Sequence, residues 1–329
     1  MRSILPVFPI LSCLLLPAPA FPGPATPAAS ASRGDAADRL ARIERAMWER
    51  DDGEIPSLRE WAAEDGNEKV RERAVGALTL LRDTGSRKLF FDRLSADASP
   101  AVRRAAADAI GTLGIPVDRI DRLTGPLQKD PDVMVRAECA RAIGRIGARQ
   151  AAGILIYALA GDPSPEVRAL SAEALARLGA KEGGEILRST ALADGNTVVR
   201  LAAVRALRLL SPQESIETFR AVWREGPDTD LRLEAYQGML ATRERSEWIR
   251  QGLAEKDPVV RAVAVREWLL MLDLPGRKDR LGRRSGEILM LEGLLKDPAG
   301  NIRELSRGVL ESLGFKVRAT GFSYAIVEE

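Results

Sequence analysis

An aliphatic residue followed by arginine recurs along this chain: Val70-Arg71, Val102-Arg103, Val135-Arg136, Val167-Arg168, Val199-Arg200, Leu231-Arg232, Val260-Arg261 and Ile302-Arg303. Successive arginines lie 32, 33, 32, 32, 32, 29 and 42 residues apart. Such a period marks a repeat architecture, in which one unit cannot bury its apolar face alone and must stack on its neighbours. The 329 residues therefore do not divide into two ordinary globular domains.

The columns around each arginine define the unit. Three residues later every copy is small: Ala74, Ala106, Cys139, Ser171, Ala203, Ala235, Ala264 and Ser306. Seven residues later every copy is large and apolar, from Leu78 and Ile110 to Trp268 and Leu310. With the aliphatic residue at minus one, these offsets form one stripe of a helix, here called helix B. Four residues before the arginine stand Asn67, Ser99, Asp132, Ser164, Asn196, Asp228, Asp257 and Ala299, and all but the last can cap a helix N-terminus. Pro100, Pro165 and Pro258 follow at the position a helix tolerates best. Gly114, Gly147, Gly179 and Gly314 sit where helix B must end. Thirteen residues before the arginine, Leu58, Phe90, Leu123, Leu155, Leu187, Phe219, Trp248 and Met290 predict a preceding helix A with its own buried column. The fold class is all-α: an α-solenoid of eight helix–turn–helix repeats over residues 55–314.

Six copies also carry aspartate six residues before the arginine: Asp65/Arg71, Asp97/Arg103, Asp130/Arg136, Asp162/Arg168, Asp194/Arg200 and Asp297/Arg303. With Asp162-Pro-Ser-Pro-Glu-Val-Arg168 and Ala174-Leu-Ala-Arg-Leu-Gly179, the chain resembles the HEAT repeats, specifically the short bacterial phycobilisome-lyase-like kind. The resemblance implies that these Asp and Arg side chains form a buried ladder between repeats, so the arginine column is structural. It also implies that the exposed face of helix B lines a concave surface. Gly226 and Glu255 replace the aspartate in the sixth and seventh copies and break the pattern there.

The ends depart from the period. Met1-Arg2, the apolar run Ile10–Leu16 and Ala18-Pro-Ala20 predict a signal peptide over residues 1–20, with a periplasmic or secreted product. Ile10-Leu-Ser-Cys13 also loosely resembles a lipobox, so lipidation at Cys13 or an uncleaved membrane anchor are the alternatives. Residues 21–34 read as a flexible Pro/Ala linker. A capping helix is expected over 36–50, with Leu40, Ile43 and Met47 on one face. The long spacing hides a basic insertion, residues 273–284, containing Arg277, Lys278, Arg280, Arg283 and Arg284. Phe315/Val317/Ala319 and Phe322/Tyr324/Ile326 alternate about Thr320-Gly321, which predicts a short hairpin or, failing that, a tail over 315–329.

Composition limits the chemistry. The chain has no histidine and two cysteines, which removes Ser-His and Cys-His catalysis, His-ligated metals and a disulfide framework. Net charge is +2 and aromatic content 5%, so neither electrostatic attraction to nucleic acid nor a base-stacking platform is expected. No phosphate-cradling glycine motif or nucleophile elbow is present. No catalytic residue, metal ligand or cofactor is assigned. The expected function is that of an exported, non-enzymatic, monomeric scaffold binding a protein partner, for instance an acidic segment. Its candidate surface is a basic stripe on helices B: Arg141, Arg145, Arg177, Arg205 and Arg208. An alternative is a membrane-proximal binder of anionic lipid or polysaccharide through residues 277–284. The resemblance adds a bilin lyase or lyase subunit, which the export signal and the lack of histidine and of a spare cysteine argue against.

Overall fold

The structure, a computed structural model, describes residues 35–115, 120–272 and 286–326. The segments expected to be a signal peptide and a linker, and the basic insertion, lie outside these residues. Helix α1 (Ala36–Glu49) is followed by eight A/B pairs. They are α2 (Ile55–Glu64) and α3 (Glu68–Leu80), α4 (Arg87–Ala96) and α5 (Pro100–Thr112), α6 (Asp121–Lys129) and α7 (Val133–Ile146), and α8 (Ala152–Gly161) and α9 (Pro165–Arg177). Then come α10 (Gly184–Ala193) and α11 (Thr197–Leu210), α12 (Ile216–Glu225) and α13 (Thr229–Leu240), α14 (Arg245–Leu253) and α15 (Pro258–Leu272), and α16 (Gly286–Leu294) and α17 (Gly300–Ser312). Strands β1 (Val317–Thr320) and β2 (Ser323–Ile326) close the described chain.

Local chemistry sets the helix ends. Asn67, Asp132, Ser164, Asn196, Asp228 and Asp257 each accept a first-turn backbone N–H through the side chain. Ser99 also has the extended backbone of a cap but makes no such bond. Four helices B end on the expected glycines, with φ of +61° to +91° at Gly114, Gly147, Gly179 and Gly314.

One continuous core runs from Ile43 on α1 through the first seven repeats to Ala264. Cys139 lies wholly buried in the small column, where its thiol is pushed up by burial. In the last repeat one expected core position moves: Met290 is 39% exposed, and Ile288, Leu291 and Leu295 are buried instead. These residues form a second, smaller core that the hairpin completes through Val317, Tyr324 and Ile326. The hairpin pairs Val317 with Ile326 and Thr320 with Ser323. Phe322, expected on a strand, occupies the turn beside Gly321 (φ +66°) and is 95% exposed.

Helices B of consecutive repeats pack against one another far more closely than helices A do, so the stack curves with the B layer inside. Two glycines mark the closest approach. A Cβ on Gly111 would lie 2.8 Å from Ala142 Cα, and one on Gly144 would lie 3.0 Å from Ala174 Cα.

Between the layers runs the Asp–Arg ladder, and it links each arginine to the next repeat. Arg71, Arg103, Arg136 and Arg168 present Nε and Nη2 to both carboxylate oxygens of Asp97, Asp130, Asp162 and Asp194, at 2.7–3.0 Å. Their Nη1 donates to the backbone carbonyl of the aspartate in their own repeat, at 2.8–3.0 Å. Each aspartate also accepts the N–H two residues on, which shapes the A–B turn. Arg39 supplies the first rung, to Asp65, and Arg261 the last, to Asp297. Two arginines of the expected ladder hold no rung among the described residues. The next repeat carries Gly226 where Arg200 would need an aspartate, and Arg200 Nε donates to Ala191 O instead. Arg303 faces no further repeat among the described residues. Arg232 likewise turns its Nε to Trp223 O and stands 3.8 Å from Glu255.

Arg168→Ala should cost roughly 3–5 kcal/mol, because it strands a buried carboxylate and frees a turn carbonyl. Arg200→Ala removes one neutral-acceptor hydrogen bond and should cost about 1–2 kcal/mol. Urea unfolding of the two variants checks this; equal losses would refute the ladder as the source of the difference.

The ladder also sets an acid limit. Burial alone would raise Asp97, Asp194 and Asp297, but the arginine fork and the turn N–H outweigh it and hold all three below their ordinary 3.8. Depressed carboxylates contribute stability in full above the unfolded value and lose it as pH falls through the folded one. Tm should therefore hold steady down to about pH 5 and decline below about pH 4. Asp194→Asn should lower Tm at neutral pH and flatten that decline; an unchanged acid slope would contradict the assignment.

Candidate functional site

The inner layer exposes the outer faces of helices B, and there the basic stripe divides. Arg141 and Arg145 both face Glu138 on their own helix, α7. Arg141 Nη1 donates to Glu138 Oε2 at 2.5 Å, and Arg145 Nη1 stands 3.6 Å from Oε1. Arg145 also reaches across to α5, donating to Asp108 Oδ1 at 2.6 Å and Thr112 Oγ1 at 3.0 Å. Glu138 is 6% exposed, and its Oε1 accepts no hydrogen bond among the described residues. Burial pushes this carboxyl up, opposed by Arg141; the Asp108 charge adds to the rise and Arg145 opposes it.

Arg205 and Arg208 form the second cluster. From α11 their Nε atoms donate to the two oxygens of Glu234 on α13, each at 3.0 Å. Both clusters are thus anchored by a buried glutamate two residues past the ladder arginine. Sequence reading overlooked that column, which runs Arg73, Ala105, Glu138, Leu170, Ala202, Glu234, Val263 and Leu305. Its two carboxylates are the signal that the neighbouring arginines are tied down.

Arg177, between the clusters, is the stripe's exception. It is exposed, and no carboxylate pairs with it among the described residues. It lines an open groove with Gly111, Thr112, Gly144 and Arg145. The glycines that let helices B close up also clear this groove floor. Alongside lies a more apolar shelf lined by Pro165, Ala169, Leu170 and Val198, rimmed by Arg141, Glu166, Glu173 and Asn196. Val198 is 65% exposed. The stripe therefore holds one balanced cluster, a second in which two arginines share a single carboxylate and keep one net positive charge, and one guanidinium without a carboxylate partner among the described residues.

Little else on the described surface suggests chemistry. No group of three His, Cys, Asp or Glu residues able to hold a metal ion occurs among the described residues. No helix among them is long and apolar enough to cross a membrane.

Gly144→Val should wedge α7 from α9, since its Cβ alone would crowd Ala174 Cα. Overpacking of this kind costs roughly 1–3 kcal/mol. Gly76→Ala, on α3 with open space around it, should leave stability within about 0.5 kcal/mol or raise it. Thermal melts of both variants distinguish close approach from mere helix propensity; matching melts would refute it.

Comparison with known proteins agrees with the architecture. Residues 55–132 and 120–208 match the HEAT repeats family. A HEAT repeat-containing taxis protein of Halobacterium salinarum is 36% identical over 118 residues, 30% of this chain and 29% of that protein. The chain thus matches less than a third of that relative's length. Among solved structures, the CpcE–CpcF complex of phycocyanin lyase from Nostoc sp. aligns with TM-score 0.44 and 21% identity, over 69% of this chain and 94% of that one. Human deoxyhypusine hydroxylase in complex with glycerol aligns with TM-score 0.35 and 20% identity, over 80% and 96%. Residues 55–208 thus match the HEAT repeats family, and the same A/B unit continues structurally to Ser312, so the fold is an α-solenoid.

Proposed function

We propose that this protein is an exported, non-enzymatic scaffold that seats an acidic protein segment on its concave helix-B face. The observation that carries the reading is Arg177: an exposed guanidinium with no carboxylate partner among the described residues, between two clusters whose arginines are already tied to buried glutamates. A partner carboxylate placed there meets a cation without first displacing an internal pair. The shelf at Leu170 and Val198 offers apolar contact toward the N-terminal ends of α9 and α11, and contacts of the two kinds together give both affinity and register. Repeat stacking makes such extended inner surfaces, and HEAT repeats serve as scaffolds for protein interaction. Export rests on the N-terminal sequence alone. The lack of histidine, and a single described cysteine that is fully buried, support the non-enzymatic reading.

Affinity capture from an envelope extract, with mass spectrometry, tests this by comparing variants. Arg141 and Arg205 are poor probes, because reversing them would set a second carboxylate against buried Glu138 or Glu234. Arg177→Glu and Val198→Asp alter the face without breaking an internal pair. Each should weaken capture of the same partner by tenfold or more, about 1.4 kcal/mol, with Tm nearly unchanged. Capture that survives both changes but fails when residues 276–284 become Gly and Ser would move the site to the basic insertion.

A further inference from the structure

The ladder ends on an arginine that has no rung to hold. In the four filled rungs from Arg71 to Arg168, Nη1 anchors on a carbonyl six residues back, and Nε with Nη2 grips the carboxylate of the next repeat. Arg303 keeps the first half of this arrangement. Its Nη1 donates to Asp297 O at 2.7 Å and to Pro298 O at 2.8 Å, matching the posture of Arg168. Nε and Nη2 have no acceptor among the described residues.

Among the described residues, no carboxylate is at hand to fill the gap. Asp297 is held by Arg261 through both oxygens, at 2.8 and 2.9 Å. Glu304 is shared by Arg307 and the Tyr324 hydroxyl. The segment from Leu313 to Ile326, which includes the hairpin, contributes Lys316 and Arg318 but no Asp or Glu. Ala299 stands where the other repeats carry a polar cap, so no side-chain oxygen competes from there either. Gly300 puts no side chain against the fork; a Cβ there would touch Nη2, at 3.5 Å. Arg200 shows the contrasting outcome: without a carboxylate it has folded back onto Ala191 O. Arg303 is instead held half-buried in the gripping posture, so little side-chain freedom remains to be lost on binding.

We propose that the open guanidinium fork of Arg303 is a docking point for a carboxylate of an acidic protein segment, which would take the place of the missing next aspartate. A planar fork with two parallel donors selects a carboxylate over a point anion. The site lies at the A–B turn of the last repeat, apart from the concave face, and stands or falls independently of Arg177.

A tetra-aspartate peptide titrated into the 15N-labelled full chain at low salt provides the test. The Arg303 Nε–Hε resonance, assigned by its loss in Arg303→Gln, should shift and saturate, while that of Arg168 stays in place. Arg303→Lys keeps the charge but lacks the fork, and affinity at this site should fall roughly tenfold, followed by the Lys316 and Tyr324 amides. A tetra-asparagine peptide should move nothing. A stationary Arg303 signal while the peptide binds elsewhere, or at the highest peptide concentration, overturns the proposal. So does unchanged affinity at this end in Arg303→Lys.

Discussion

A guanidinium fork closed on the carboxylate of the following repeat is the contact on which the rest of this solenoid depends. Apolar columns supply most of the driving force for stacking, but they are non-directional and would tolerate sliding of one repeat over the next. The fork does not. It demands both carboxylate oxygens in its plane, and it simultaneously holds a turn carbonyl of its own repeat. The aspartate in turn accepts a backbone N–H of its own A–B turn. One rung therefore fixes turn shape, helix pairing and repeat-to-repeat register together, in a half-buried setting where leaving either partner alone is costly.

Much of this was legible in the sequence because the repeat presents the same physical problem eight times. A helix buried on one side must place small and large residues at fixed offsets, so the columns through Ala74 and Leu78 announced helix B without any alignment. What single columns could not reveal were relations between repeats. Asp162 and Arg168 are neighbours in sequence, yet Arg168 grips Asp194, because the stack advances by about one helix diameter per repeat. Phe322 was placed on a strand by alternation, which is blind to which pair of residues makes the turn.

The candidate surface shows the same limit. Charge counting along exposed helix-B positions found five arginines and implied a basic stripe. The structure separates them by what lies beneath: Glu138 and Glu234 are buried, so four of the five are counter-charges for carboxylates that would otherwise be stranded. Only Arg177 is left without a carboxylate partner among the described residues. A face on which four arginines are tied to buried glutamates and one is not attracts less broadly than five free charges and discriminates more by position.

The rungs join an arginine to an aspartate 26 or 27 residues ahead, yet Arg261 and Asp297, 36 apart, make the same contact. The fold is thus indifferent to how much chain is spooled out between two turns, provided the turns themselves return to phase. For a lineage, this means that copying or excising one whole period among the filled rungs leaves their forks facing an acid. Length can then drift by unequal crossing-over without a compensating second mutation, and insertions accumulate where the chain passes between helices.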